Sequence, residues 1–437
     1  MNQSRYRKDA FPTTGLPPGI GYIIGNEAAE RFSYYGMRAV LVVYMTQYLV
    51  NADGQPAPLS PEAARAHYHL FVSAAYFTPL LGALLSDIWL GKYRTIVMLS
   101  LVYCLGHLAL SLDATESGLM LGQALIALGA GGIKPCVSAH LGDQFADTNR
   151  HRLSQAYGWF YWAINLGAFA SMLITPWLLA VWGPGWAFGL PAVLMWLAIL
   201  VFWAGRYRYA HVPPTGYSRF LTTLKQDGGL SHLARLTPVY LCLAVFWALF
   251  DQTGSSWVLQ AQAMDGRVAG FTLLPSQIQA ANPLFILLLT PAFHYGLYPL
   301  LARHVEVTAV AKISVGMVLA AASFALAAWI QAGIDVGAHP SILWQLAAYL
   351  LLTASEVMVS VTGLEFAYTQ APKALKSLVM SLFMVSVAVG NLLTALVNQS
   401  IQGMDHPERL AGAAYFWFFA GLMLLTTLIF AALAQRR

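Results

Sequence analysis

Between Asn26 and Arg38 the chain reads Asn-Glu-Ala-Ala-Glu-Arg-Phe-Ser-Tyr-Tyr-Gly-Met-Arg. Carboxylates, guanidiniums and phenols this close together can hold a proton, an ion pair or a charged ligand. The flanking residues, from Ile20 to Leu49, are otherwise apolar or aromatic. They are long enough as a helix to cross a hydrocarbon layer of ~30 Å. At ~100° per residue, Glu27, Glu30, Arg31, Tyr34 and Arg38 fall within an arc of about 100°. A charge at bilayer depth costs several kcal/mol unless it meets a partner or water, so this face is expected to line an aqueous cavity. A structural Glu27–Arg31 pair at i, i+4 accounts for only part of that charge.

Further polar residues recur at comparable depth in other apolar stretches. Lys134 lies in Gly129-Ala-Gly-Gly-Ile-Lys134-Pro135, where glycines permit close helix approach and a proline loosens backbone pairing. Depth matching allows Lys134 to meet Glu27 or Glu30. The two glutamates with Arg31, Arg38 and Lys134 leave one net positive charge, suited to a substrate carboxylate. Tyr161 and Asn165 sit one turn apart, Asn165 offering a donor and an acceptor to a peptide amide group or acting as interhelical glue. His69 and Tyr76 are seven residues apart and nearly aligned; a histidine in a cavity can accept a proton or be purely structural. In the second half, Asp251 lies near mid-membrane, Asn282-Pro283 marks a broken helix, and Glu356 is central in its span. One carboxylate facing a basic cluster makes a dipolar cavity fit for a zwitterion.

These side chains need a bundle of membrane helices to position them. The 437 residues are 58% hydrophobic and 10% charged, with mean hydropathy +0.59, which is the composition of a polytopic membrane protein. Twelve apolar spans can be drawn between residues 20 and 434. The polar stretch 206–235, with Pro213-Pro214 and Gly228-Gly229, reads as a cytoplasmic linker. The expected fold is all-α and integral to the membrane: a cytoplasmic tail (1–19), a six-helix bundle (20–205), the linker, and a second six-helix bundle (236–434). Two matched halves suggest a rocking secondary transporter. Lysines and arginines concentrate on one side of the spans, which puts both termini in the cytoplasm and explains the net charge of +5 without nucleic acid. The first span reads as an uncleaved anchor. Cys104, Cys136 and Cys242 fall in apolar spans and read as packing residues, with no disulfide framework and no metal site. Neither a His-Glu-x-x-His pattern nor a nucleophile elbow occurs, so an enzyme is not expected.

Several motifs together resemble the proton-dependent oligopeptide transporter family of the major facilitator superfamily. They are Glu27-x-x-Glu30-Arg31-Phe32 with Tyr34-Tyr35, Gly131-Gly132-Ile133-Lys134-Pro135, Phe160-Tyr161-x-x-Ile164-Asn165-x-Gly167, Phe246-Trp247 with Asp251-Gln252 and Gly254-Ser255, and Glu356. The turn from Gly82 through Asp87 and Gly91 to Arg94 looks like the superfamily's signature loop. The resemblance implies import of di- and tripeptides by alternating access, with protons as the coupling ion and no cofactor. It implies that Arg31, Arg38 and Lys134 hold the peptide carboxylate, and Glu356 with Asn282 its amino terminus. Asn165, Tyr34, Tyr35, Tyr76 and Tyr161 would meet the backbone, and Trp247 would wall a side-chain pocket. Glu27, Glu30, Asp251 and His69 would take part in proton coupling. Asp143 with Lys376 would form a cytoplasmic gate, and His69 with Ser255 an outer one.

The chain departs from the family pattern in three places. Only about Gly333 to Pro340 separates the ninth and tenth spans, where animal members carry a large domain. The helix pair that bacterial members often insert between the halves is missing. His294 stands where the animal branch has an acid opposite the position of Arg235. The alternative reading is a proton-coupled carrier of nitrate or a drug-like compound on the same scaffold. Short loops favour a bacterial inner membrane, and the protein is expected to work as a monomer.

Overall fold

A computed structural model describes residues 6–214, 216–217, 229–268, 270–363 and 376–435, without the side chains of 229–236, 376–381, 407, 434 and 435. It is mostly helical. The helices are α1 (Ile20–Gln47), α2 (Pro61–Leu85), α3 (Lys92–Leu112), α4 (Glu116–Gly142), α5 (Leu153–Trp182), α6 (Pro184–Ala204) and α7 (Gly229–Phe250). They continue as α8 (Ser256–Gln262), α9 (Ala281–Pro291), α10 (Tyr298–Leu301), α11 (Ala309–Asp335), α12 (Leu343–Glu356), α13 (Lys376–Gln402) and α14 (Ala413–Gln435). A two-stranded antiparallel hairpin, β1 (Arg267–Val268) and β2 (Phe271–Thr272), precedes α9. Hydrogen bonds from Arg267 hold the pKa of the Asp265 carboxyl beside it down at about 2. Ten helical stretches among the described residues are long and apolar enough to cross a membrane.

Local chemistry sets the helix ends. Thr115 Oγ1 accepts the Gly118 N–H at the start of α4, and Thr308 Oγ1 that of Ala311 at the start of α11. Pro184 opens α6 after Gly183, whose φ of 81° suits a residue without a Cβ. In the turn between α2 and α3 the backbone passes through a π-helical stretch, Ser86–Leu90, then Gly91 at φ 76°. Lys92 follows at once, and its Nζ lies 2.6 Å from the Asp143 carboxylate at the end of α4.

The chain forms two compact units. The first comprises residues 1–40, 48–57 and 74–224; the second comprises 41–47, 58–73 and 225–437. In the first, α3 packs along α4 and α6. In the second, α11 packs on α12 and α14, and α13 on α7. Lipid chains are as apolar as leucine, so such bundles are held by close packing and interhelical hydrogen bonds. Gly82 meets the backbone of Gly132 with no room for a side chain. Thr78 Oγ1 donates to Ala127 O at 2.6 Å, Ser33 Oγ to Pro191 O at 2.9 Å, and Ser323 Oγ to Ala348 O at 2.8 Å. Each such bond is worth about 0.6–2 kcal/mol in a bilayer. Cys104, Cys136 and Cys242 are buried free thiols.

The described part of the N-terminal tail belongs to the first unit. Arg7 O accepts the His211 N–H, Thr13 O the Thr148 hydroxyl, and Gly15 O the Asn149 amide. The His211 ring lies 4.6 Å from those of Tyr6 and Tyr93, and Nε2 donates to Arg206 O. Burial holds its pKa below the ordinary histidine value.

Candidate functional site

In the first unit, one helix face gathers the charge. Glu27, Glu30, Arg31, Tyr34 and Arg38 are all buried. Arg31 Nε lies 2.6 Å from Glu27 Oε1 and 3.1 Å from Glu30 Oε2, so one guanidinium is shared by two carboxylates. Lys134 from α4 stands over the rings of Tyr34 at 3.9 Å and Tyr76 at 4.4 Å, and its ammonium has no hydrogen-bond partner among the described residues. Aromatic faces stabilise a desolvated ammonium by about 2 kcal/mol while leaving its N–H groups available. Depth matching allows Lys134 to meet Glu27 or Glu30, but neither is its hydrogen-bond partner. Arg31 takes that place, because it is adjacent to Glu30 and one turn from Glu27 on the same helix. Both glutamates, Arg31 and Arg38 remain within electrostatic reach of Lys134.

Close packing brings α5 to this face: a Cβ on Gly167 would lie 2.6 Å from Ala28 O. Asn165 is buried and donates to Tyr161 O at 2.9 Å, so one of its amide hydrogens is used within α5. Tyr161 is exposed, and Tyr35 packs edge-on to Tyr34 at 5.4 Å. Asp143 is engaged by Lys92; the side chain of Lys376 lies outside the described residues, as does that of Arg235. His294 is exposed and touches the ring of Tyr295.

The second unit holds a buried chain of polar side chains. His69 Nε2 is 2.8 Å from Ser255 Oγ, and His69 Nδ1 is 2.8 Å from Asn391 Oδ1. The Asn391 amide nitrogen donates in turn to Asp251 Oδ2 at 2.6 Å and to Val387 O at 3.0 Å. Those two acceptors fix the amide orientation, so Oδ1 must accept and His69 must carry a hydrogen on Nδ1. Neutral His69 then accepts from the Ser255 hydroxyl at Nε2. A proton arriving there needs only a turn of that hydroxyl, and its charge faces Asp251 through one amide. Asp251 sits in a 3₁₀ turn, Asp251–Gly254, that interrupts the helix between α7 and α8.

Elsewhere in this unit Asn282 donates to Glu356 Oε2 at 2.8 Å and to Thr353 Oγ1 at 3.2 Å. All three are at or near the ends of their helical stretches: Asn282 is the second residue of α9, which follows a 3₁₀ turn without a break at Asn282-Pro283, and a π-helical stretch, Val357–Val361, follows Glu356. Trp247 packs edge-on to Phe383, and its indole N–H has no hydrogen-bond partner among the described residues.

Sequence reasoning did not single out Asn391, Thr353 or Asn26. Asn391, Thr394 and Asn398 follow one another at spacings of three and four in an otherwise apolar helix, which marks a polar stripe without telling a site from interhelical bonding. Asn26 precedes Glu30 by one turn, is buried, and has neither amide atom partnered among the described residues.

The sequence matches the POT family over residues 93–226 and 216–418. It is 38% identical over 374 residues to Peptide transporter family 1 of Drosophila melanogaster, covering 75% of this chain and 49% of that protein. It is also 38% identical over 382 residues to human Solute carrier family 15 member 1, covering 74% of this chain and 53% of that protein. The chain thus spans about half the length of the curated relatives it matches. Among solved structures, an auto-inhibited POT family peptide transporter superimposes with a TM-score of 0.87 at 35% identity, covering 96% of this chain and 97% of that one. A POT family peptide transporter in complex with alafosfalin gives 0.84 at 26% identity, covering 99% and 97%.

Proposed function

The chain belongs to the POT family, and we propose on that basis that it is a proton-coupled symporter importing di- and tripeptides by alternating access. The observation that carries this reading is the pair of carboxylates on one guanidinium beside a tyrosine-caged lysine. With both glutamates ionised the cluster of Glu27, Glu30, Arg31, Arg38 and Lys134 holds one net positive charge. Protonating Glu30 leaves Arg31 to Glu27 and raises the net charge to two, which draws a peptide carboxylate to Lys134 and Arg38. Proton and peptide are thereby linked, each favouring the other. Release of the proton on the far side reverses the attraction.

In this reading Glu356, held by Asn282, receives the peptide amino terminus; Asn165, Tyr34, Tyr35, Tyr76 and Tyr161 face its backbone, and Trp247 walls a side-chain pocket. Glu27, Asp251 and His69 join Glu30 in proton coupling. Ser255 with His69 closes the outer side, and Asp143 with Lys376 the inner one. Twelve helices form two six-helix halves, 20–205 and 236–434, about the linker 206–235. The protein works as a monomer in a bacterial inner membrane with both termini cytoplasmic, in keeping with the one-sided distribution of lysine and arginine.

The test is uptake of labelled dialanine into proteoliposomes with and without an inward proton gradient, competed by alanine and by tri- and tetraalanine. Accumulation that requires the gradient and is blocked by trialanine but not by alanine is expected. Lys134→Ala should abolish it. Glu30→Gln should abolish gradient-driven uptake while sparing counterflow exchange. Gradient-independent uptake by the wild type, or unimpaired uptake by Lys134→Ala, would refute the mechanism.

A further inference from the structure

Beyond the charged face of α1, the first unit buries three polar side chains on α3 and α4 that the proposed function leaves unused. Tyr103, His107 and Gln123 are 0%, 0% and 7% exposed. The Tyr103 hydroxyl, both His107 ring nitrogens and the Gln123 amide nitrogen have no hydrogen-bond partner among the described residues. Buried polar groups are rarely left so, and the common solution is an ordered water.

Their placement is connected. His107 follows Tyr103 by one turn, and the two rings are 4.8 Å apart. A Cβ on Gly106 would lie 2.9 Å from Gly122 O, so α3 and α4, antiparallel across their short turn, touch there. The next residue on each helix is His107 and Gln123. In an antiparallel pair these successors turn toward the same side of the contact, within about 3 Å of the same height. Gln123 is the eighth residue of α4 and His107 lies five before the end of α3, about 8–10 Å below the Asp113–Thr115 turn. From His107 the step to Tyr103 is about 6 Å along the axis. Tyr103 stands within electrostatic reach of Glu30, Arg31 and Tyr34 from α1 and of Cys104 on its own helix. The orphaned groups thus run from about 8–10 Å below the Asp113–Thr115 turn to within electrostatic reach of Glu30.

We propose that Gln123, His107 and Tyr103 line a water-bearing proton path that feeds Glu30 from the Asp113 end of the first unit. One ring nitrogen of His107 takes a proton from a water on the Gln123 side while the other releases one toward Tyr103. The imidazole stays neutral with its tautomer exchanged, and a ring turn resets it. The Tyr103 hydroxyl accepts that proton from water and passes its own to Glu30. No net charge rests in the path. It rests on the proton coupling proposed for Glu30.

The experiment compares wild type, His107→Leu, His107→Gln and Tyr103→Phe in proteoliposomes. Gradient-driven dialanine uptake is measured beside dialanine counterflow at equal pH, which needs no net proton movement. His107→Leu should slow gradient-driven uptake by about a hundredfold, the lower end for losing a proton-transfer group, with counterflow within about twofold of wild type. His107→Gln, which can hold a water but cannot shuttle a proton, should match His107→Leu in rate, and Tyr103→Phe should share the split. Wild-type gradient-driven uptake with an unimpaired His107→Leu would overturn the path and leave the function standing. Equal loss of uptake and counterflow in both His107 variants would assign the residue to packing and overturn the path as well. A wild type that does not accumulate dialanine would overturn the function, and the path with it.

Discussion

A single amide decides how the polar chain of the second unit behaves. Asn391 presents its oxygen to His69 and its nitrogen to Asp251, so it both fixes the histidine tautomer and separates a basic ring from an acid. Replacing it by leucine removes an acceptor from one and a donor from the other. Each loss is worth about 1–3 kcal/mol in a buried setting. Asn391→Leu should therefore melt well below wild type in detergent and lose gradient-driven uptake, whereas a melting point equal to wild type would show that the amide is not the joint. The charged residues of α1 were legible in the sequence because charge is conspicuous in an apolar run. Asn391 was not, because asparagine in a membrane helix serves interhelical bonding as readily as a site, and only the position of His69 and Asp251 tells the two apart. The aromatic cage of Lys134 is hidden for a related reason. Depth matching compares helices, but Arg31 reaches both glutamates from the same helix.

At the scale of elements, helix contacts are set where no side chain intervenes. Gly390 of α13 lies against the backbone of Ala244 and Ala248 in α7, and a Cβ there would collide with it. Gly421 of α14 has nothing within 4 Å of its would-be Cβ. Gly390→Ala should cost about 1–3 kcal/mol by overpacking. Gly421→Ala should be neutral or gain up to about 1 kcal/mol from helix propensity. Thermal melts of the two variants check this; equal melting points would refute the close contact as a determinant of stability. The helices themselves were readable from hydropathy, as was the turn at Gly91; the break expected at Asn282-Pro283 is absent, since α9 runs through both residues, with Pro283 in its first turn where a missing N–H costs nothing. The 3₁₀ turn at Asp251–Gly254 and the π-helical stretch after Glu356 were not readable, since both lie in sequence that reads as continuous helix. Each lies at a residue assigned to the site, which fits the frequency with which such irregularities mark functional positions.

For the whole molecule, composition and charge asymmetry gave a membrane bundle at once. Nothing in residues 41–47 and 58–73 reveals that they group with the second unit, because helix ends of either unit look alike in hydropathy. One trait of the molecule as a whole is of practical use. Its only thiols, Cys104, Cys136 and Cys242, are all buried. Folded protein should resist a bulky maleimide and react at three sites once unfolded in detergent; labelling of the folded protein would contradict the packing. The natural chain is then its own silent background for site-directed labelling. A pair of cysteines introduced at exposed positions could carry spin labels or fluorophores and report distances between chosen helices during a transport cycle, with no prior removal of native residues.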